Sequence, residues 1–181
     1  MARAQGTDFL HSMRFWVNVT GVGGVNLLNT ALNGTSPQAG FSTCSTPEAT
    51  TEAVEYKEGH YVYTRKYPGN PTVSDISMQR GVAKVDSSFW SWLKTVIEGG
   101  EYRADVAINH YHRDTALPGL GAGKGNLQGI DLTAKPARQY LVKEAFPTRH
   151  KVAGDMDATA SEVSIQDLDL AYEEFDVIES G

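Results

Sequence analysis

At 181 residues, with 40% hydrophobic and 21% charged residues spread evenly, the chain reads as one folded domain, 1–181, large enough to bury a core without metal or disulfide support. A formal charge of -6 and a pI near 5.3 exclude a protein built to grip phosphate backbones, which needs a concentrated basic surface. The lone Cys44 excludes an intrachain disulfide; the sequence has no charged start leading into an apolar run and no apolar stretch near the roughly 18 residues that span a bilayer, which predicts cytoplasmic synthesis without membrane insertion.

Residues 1–12 are polar and small, which predicts a flexible arm that orders only on docking. Met13 to Thr20 alternates as a half-buried strand, with Met13, Phe15, Val17 and Val19 on one face and Arg14, Trp16, Asn18 and Thr20 on the other. Trp16 is the exception on the polar side, either an aromatic at a sheet edge or one set against a neighbouring subunit. Residues 21–40 are rich in Gly, Asn, Ser and Thr and form a loop longer than compact domains usually hold. Phe41 to Ser45 predicts a short strand ended by Pro47. Thr51–Tyr56, a turn at Lys57–His60 and Tyr61–Arg65 then predict a hairpin with Tyr61, Tyr63 and Arg65 on one side.

Asp75 to Gly81 continues the sheet, Ile76, Met78 and Arg80 opposing Ser77 and Gln79. Phe89, Trp92, Leu93, Val96 and Ile97 follow at helical spacing, capped by Asp86, Ser87 or Ser88 and ended by Gly99 and Gly100, so one short helix is expected with an aromatic face that must be buried. Arg103 to His112 alternates again, with Ala104, Val106, Ile108 and His110 facing one way. Residues 113–136 form a second long loop, and Ala137 to Phe146 a strand closed by Pro147. In the tail, Ile165, Leu168, Tyr172 and Phe175 fit a helical face, while Val163, Ile165, Leu168, Leu170 and Tyr172 fit a strand with a bulge at Gln166 and Asp167; periodicity does not choose between them.

The chemistry is sparse. PGLGAGKGN in the second loop has Pro118 where a Walker motif needs its first Gly, and Gly125 where Ser or Thr must follow Lys124; the dinucleotide pattern fails at Asn126, so no nucleotide site is expected. His110-x-His112 places two imidazoles about 7 Å apart on a strand near Asp114, but no third ligand at firm spacing completes a metal site. Nothing orients Cys44 and His60 as nucleophile and base, and no carboxylate pair is placed for acid and base work; neither enzyme activity nor a cofactor is expected. The triplets Asn18-Val-Thr20 and Asn33-Gly-Thr35 match the glycosylation pattern by chance in a chain without a secretion signal.

VEYKEG (Val54 to Gly59), TRKYPG (Thr64 to Gly69), DISMQRG (Asp75 to Gly81), FWSWL (Phe89 to Leu93) and DVAINH (Asp105 to His110) together resemble, in spacing, the tail tube proteins of contractile phages and phage-tail-like injection particles. Glu144 to Pro147 and DMDATASEVSIQDLDLAYEEF (Asp155 to Phe175) resemble that family's NAWP and DATSNEVAIETLELAHEGL segments. Each block alone is a strand with a turn, so the specificity lies in their colinear order.

The resemblance implies a mostly β fold: two packed antiparallel sheets forming a small barrel or sandwich with one α-helix, the tail included as a strand, assembling into hexameric rings that stack into a tube. It implies a long hairpin that reaches an adjacent subunit and ends in Lys66-Tyr67-Pro68-Gly69, and it matches Arg80-Gly81 to the family's Arg-Gly pair. Trp16, Tyr61, Tyr63, Arg65, Lys66, Pro68, Gly69 and Arg80 are therefore expected at subunit contacts. Asp167, Asp169 and Glu173 are the candidate lumen acids, a belt of negative charge that discourages DNA from sticking. The implied role is a structural virion protein of the tail, a conduit for DNA or protein cargo with no specific binding; the partners are further copies of itself, the tail sheath protein, and tape-measure and baseplate hub proteins. Alternatives are the tube of a phage-derived contractile injection system, a baseplate tube-initiator and, from another class, a small ligand-binding β-barrel with residues 119–125 as a lid. The 21–40 and 113–136 loops exceed the family's usual lengths, and no role for them follows from the resemblance.

Overall fold

A computed structural model describes residues 10–20, 41–82, 87–112, 135–154, 156 and 163–179. Among the described residues nine strands and one helix follow in order: β1 (Phe15–Thr20), β2 (Phe41–Cys44), β3 (Ala49–Tyr56), β4 (Arg65–Val73), β5 (Ile76–Gly81), α1 (Ser88–Glu98), β6 (Ala104–His110), β7 (Arg138–Lys151), β8 (Ile165–Ala171) and β9 (Glu174–Glu179). Asp86, Asp114 and the 21–40 insertion lie outside the described residues, as does all of the second insertion except Lys135 and Pro136.

The body is an antiparallel sheet in the order β1-β6-β7-β8-β5-β2, with β9 also paired to β7. It bends at β7. Arg138 to Val142 pair with both β6 and β9, Lys143 with β9 and Ala145 with β6, whereas Phe146 to Lys151 pair with β8. Between these halves Glu144 takes φ 55°, and its N–H donates to the Asp105 carboxylate at 3.2 Å. A left-handed residue between two ladders turns the strand from one sheet into the other. The two sheet halves enclose one core: Val17, Val19, Val106, Ile108 and Val142 come from one half, Ile76, Met78, Leu168 and Leu170 from the other. Alternation along the strands produces this, since every second residue points inward.

β1 and β2, the ends of the sheet, do not pair, so the described strands form two sheets sharing a bent strand rather than a closed barrel. β7 also runs through Pro147 to Lys151, beyond the expected stop. Proline is tolerated there because the ladder shifts register between Pro147 and Arg149, where the missing N–H is not needed. The tail forms strands, but without a bulge at Gln166 and Asp167: β8 pairs with β5 in unbroken register from Ile165 to Leu170. Gln166, not Ile165, takes the inward position.

Helix α1 closes the core. Ser91 N–H bonds Ser87 O at 2.8 Å, without a side-chain cap, and Gly99 at φ 74° ends the helix by donating to Val96 O at 3.3 Å. Phe89 and Trp92 are buried, and the Trp92 indole N–H reaches Tyr102 O at 2.6 Å. Ile97, expected on the same face, is 69% exposed, because the apolar stripe drifts off the sheet in the last turn.

Strands β3 and β4 form a separate two-stranded sheet. It is rooted by Ser74 N–H to Glu48 O at 3.0 Å and by the Tyr172 hydroxyl to the same carbonyl at 3.4 Å.

Candidate assembly surfaces

The β3–β4 hairpin is exposed along both strands apart from half-buried Gly69, and neither strand packs appreciably on another described element. A bare two-stranded hairpin is marginally stable in water. This one nevertheless exposes Val54, Tyr56, Tyr61, Val62, Tyr63, Tyr67 and Val73, a concentration of large apolar side chains that a solitary surface element does not need. Its turn is longer than the sequence predicts: β3 stops at Tyr56 and β4 starts at Arg65, so Tyr61 and Tyr63 sit in the tip rather than on a strand. They still come together with Arg65. The two rings meet edge to face at 6.2 Å, and the Arg65 guanidinium lies 5.2 Å from the Tyr61 centroid.

Lys66 stands opposite Glu55 in register, with an ion pair at 3.2 Å. Pro68 and Pro71 face Ala53 and Thr51, and a register shift places Glu52 against Gly69. A Cβ at Gly69 would meet Glu52 O at 3.0 Å and Val54 Cγ2 at 3.3 Å, so glycine is what lets the strands close over the bulge.

Of the other expected contact residues, Trp16 is 39% exposed on β1, with its indole N–H donating to Asn18 Oδ1 at 2.7 Å. Arg80 requires a correction. It is 1% exposed, its guanidinium lying 3.7 Å from the Phe89 ring centroid and 5.9 Å from that of Phe41. A side chain clamped inside its own core cannot reach a neighbour. Alternation on β5 points it inward with Ile76 and Met78, and the aromatic face of α1 covers its charge.

The candidate lumen acids divide. Asp167 and Asp169 lie side by side on the outward row of β8, and both are paired with Arg149 of β7, at 3.6 and 2.8 Å. Lys151 stands opposite Asp167 in register. The row is therefore charge-compensated rather than a bare acidic belt. Glu173 lies apart, between β8 and β9, ion-paired with Arg103. That hydrogen bond is the main cause that raises the Arg103 guanidinium above its ordinary value.

Two features escape the sequence reading. Arg149 and Lys151 were hidden by ending the strand at Pro147. The second is β9 itself, an edge strand whose Glu174 and Asp176 are held by Lys143, both at 2.8 Å, and whose Glu179 is held by Arg138. Those carboxylates, Asp176 first, raise the Lys143 ammonium above its usual range. The alternation of acids and apolar residues over Glu174 to Val177 is the signal that could have revealed it.

The weaker chemical candidates do not converge. His110 Nε2 contacts His11 O at 2.9 Å, and Cys44 sits on β2 in the body while His60 is at the hairpin tip beside Glu58. Burial pushes the Cys44 thiol up to about 12, the opposite of an activated nucleophile. Cys44 helps line a cavity of about 130 Å³ with Phe15, Ile108, His110 and Tyr140. That is smaller than the roughly 300–1,000 Å³ of small-molecule sites.

The family described as T4-like virus tail tube protein gp19 matches residues 11–176. The fold is similar to a chain of the anti-feeding prophage baseplate in its 6-fold symmetrised form, at 19% identity, 96% of this chain and 97% of that chain covered, and TM-score 0.68. It is similar to a chain of the PVC extracellular contractile injection system sheath–tube complex in the extended state, at 17% identity, 97% and 95% coverage, and TM-score 0.69. A chain of the anti-feeding prophage tube-terminating cap matches at 18% identity, 98% and 100% coverage, and TM-score 0.65. None of the curated proteins matches the sequence.

Proposed function

Because this chain belongs to the T4-like virus tail tube protein gp19 family, and so is a tail tube protein of phage or phage-like contractile injection systems, we propose that its copies close into six-membered rings stacked as a hollow inner tube. The observation that carries the assembly is the hairpin, an element with exposed aromatics, valines and cations that the described residues of its own chain leave uncovered. Ring closure answers two physical demands at once: it buries the hairpin and occupies sheet edges that would otherwise pair without control. Trp16, Tyr61, Tyr63, Arg65, Lys66, Pro68 and Gly69 belong to these contacts, Pro68 and Gly69 by shaping the hairpin.

The outward row of β8 with Arg149 is the lumen wall in this reading. Its charges neutralise one another in place beside polar Ser77 and Gln79, with exposed Ile165 only at the start of the row, which suits a surface past which DNA or protein cargo slides without binding. The sheath and the baseplate are the outer and terminal partners, consistent with the sheath–tube and baseplate chains that share the fold, and a tape-measure protein fills the lumen before ejection. The work is mechanical. Negative-stain electron microscopy of the purified protein over a range of concentrations tests this: rings or hollow tubes of uniform width are expected, and compact monomers throughout refute self-assembly.

A further inference from the structure

Building on that tube reading, we infer that the hairpin tip of one copy docks through its side chains on the β9 edge of a second copy of this chain. The edge strands of the body differ in chemistry. β1 reads FWVNVT and β2 reads FSTC, neither with a charged residue, whereas β9 reads EFDVIE, with Glu174, Asp176 and Glu179 and no cation. Val177 and Ile178, successive residues and so on opposite faces of β9, are both about half exposed, an apolar strip on an edge with one row of backbone groups unpaired by any described strand.

The tip is opposite in sign and similar in apolar content. Lys57, Arg65 and Lys66 stand against Glu58 and Glu55, Arg65 pairing with Glu58 at 3.7 Å and Lys66 with Glu55 at 3.2 Å, around Tyr61, Val62 and Tyr63, the last two 86% and 75% exposed. Lys143 and Arg138 approach the β9 carboxylates from β7, on the body side, and each carboxylate retains acceptor capacity for a second cation from outside.

The hairpin's strands are poorly suited to adding to β9 as a ladder. β3 would bring Glu52 and Glu55 against the acids of β9, and β4 lacks two donors at Pro68 and Pro71. Docking by the tip avoids both costs: its cations meet the acids and its aromatics cover Val177 and Ile178, the combination of buried aromatic anchors and charged rim that interfaces use.

Two experiments on the full-length protein test this. Tyr63→Cys with Val177→Cys, oxidised after assembly, should give a ladder of disulfide-linked oligomers on a denaturing gel that neither single variant gives; the singles retain Cys44 and set the background. Lys66→Glu and Asp176→Lys should each raise the concentration of half-assembly, read by light scattering, about fivefold, and the double variant should return to within about twofold of the parent. Rings without the ladder and without rescue overturn this docking and leave the tube function standing. A parent protein that forms no ring or tube at any concentration overturns the tube reading itself, and the docking with it.

Discussion

Truncating Phe89 to alanine is the most informative perturbation of the body, because this ring is where the helix, three strands of one sheet half and a buried charge meet. It is buried, lies 6.0 Å from the Phe41 ring and 5.9 Å edge-on from His150, and carries the Arg80 guanidinium 3.7 Å from its centroid. A buried phenylalanine removes about 150–250 Å² from water, so at ~25 cal/mol per Å² the transfer alone is worth about 4–6 kcal/mol as an upper bound. Measured losses for such truncations, cavity included, are about 3–5 kcal/mol. For a domain of 181 residues a loss near 4 kcal/mol lowers the melting temperature by about 10 °C. Phe89→Leu keeps most of the volume but removes the π face from Arg80. A double-mutant cycle of Phe89→Leu with Arg80→Met, read by urea denaturation of the unassembled protein through tryptophan fluorescence, should give a coupling of about 1–2 kcal/mol for a desolvated cation on a ring. Additivity within about 0.5 kcal/mol would refute the idea that the aromatic face of α1 holds the buried charge.

Tyr61→Ser with Tyr63→Ser should abolish rings by electron microscopy while changing the monomer's stability by less than about 0.5 kcal/mol in thermal unfolding, since both side chains are exposed in the isolated chain. Glu144 at φ 55° stores about 1 kcal/mol of backbone strain, so Glu144→Gly should be neutral to slightly stabilising in urea unfolding and Glu144→Val destabilising by more than about 1 kcal/mol. The Cys44 thiol is raised from 9.0 to about 12 by burial, so between those values the unfolded chain has lost a proton that the folded chain keeps; the thiol's contribution is fully present below pH 9 and lost as pH rises toward 12. Cys44→Ala should flatten that alkaline limb of the stability curve, and in the native parent at pH 8 the thiol should resist a disulfide reagent that modifies it at once in denaturant.

What the sequence determined by itself was local. Period-two alternation fixed the inward residues of β1, β5 and β6, and the spacing of Phe89 and Trp92 fixed the helix, because those patterns carry their own geometry whatever surrounds them. The concentration of tyrosines and cations between Tyr56 and Tyr67 was equally legible, and the structure leaves those tyrosines exposed.

Tertiary structure decided what depends on partners distant in sequence. Arg80 has the composition of an interface residue, and only the packing of Phe89 and Phe41 against it turns it into a core residue. Pro147 would end a strand by propensity, yet a register shift lets β7 pass through it, and that continuation brings Arg149 to Asp167 and Asp169 and changes an acidic row into a neutral one. Glu144 gives no sequence sign of a left-handed backbone; it adopts one because β7 must leave one ladder for another, which also leaves β9 as an open edge. Pairing register and edge exposure belong to the sheet as a whole, so no single strand's sequence contains them.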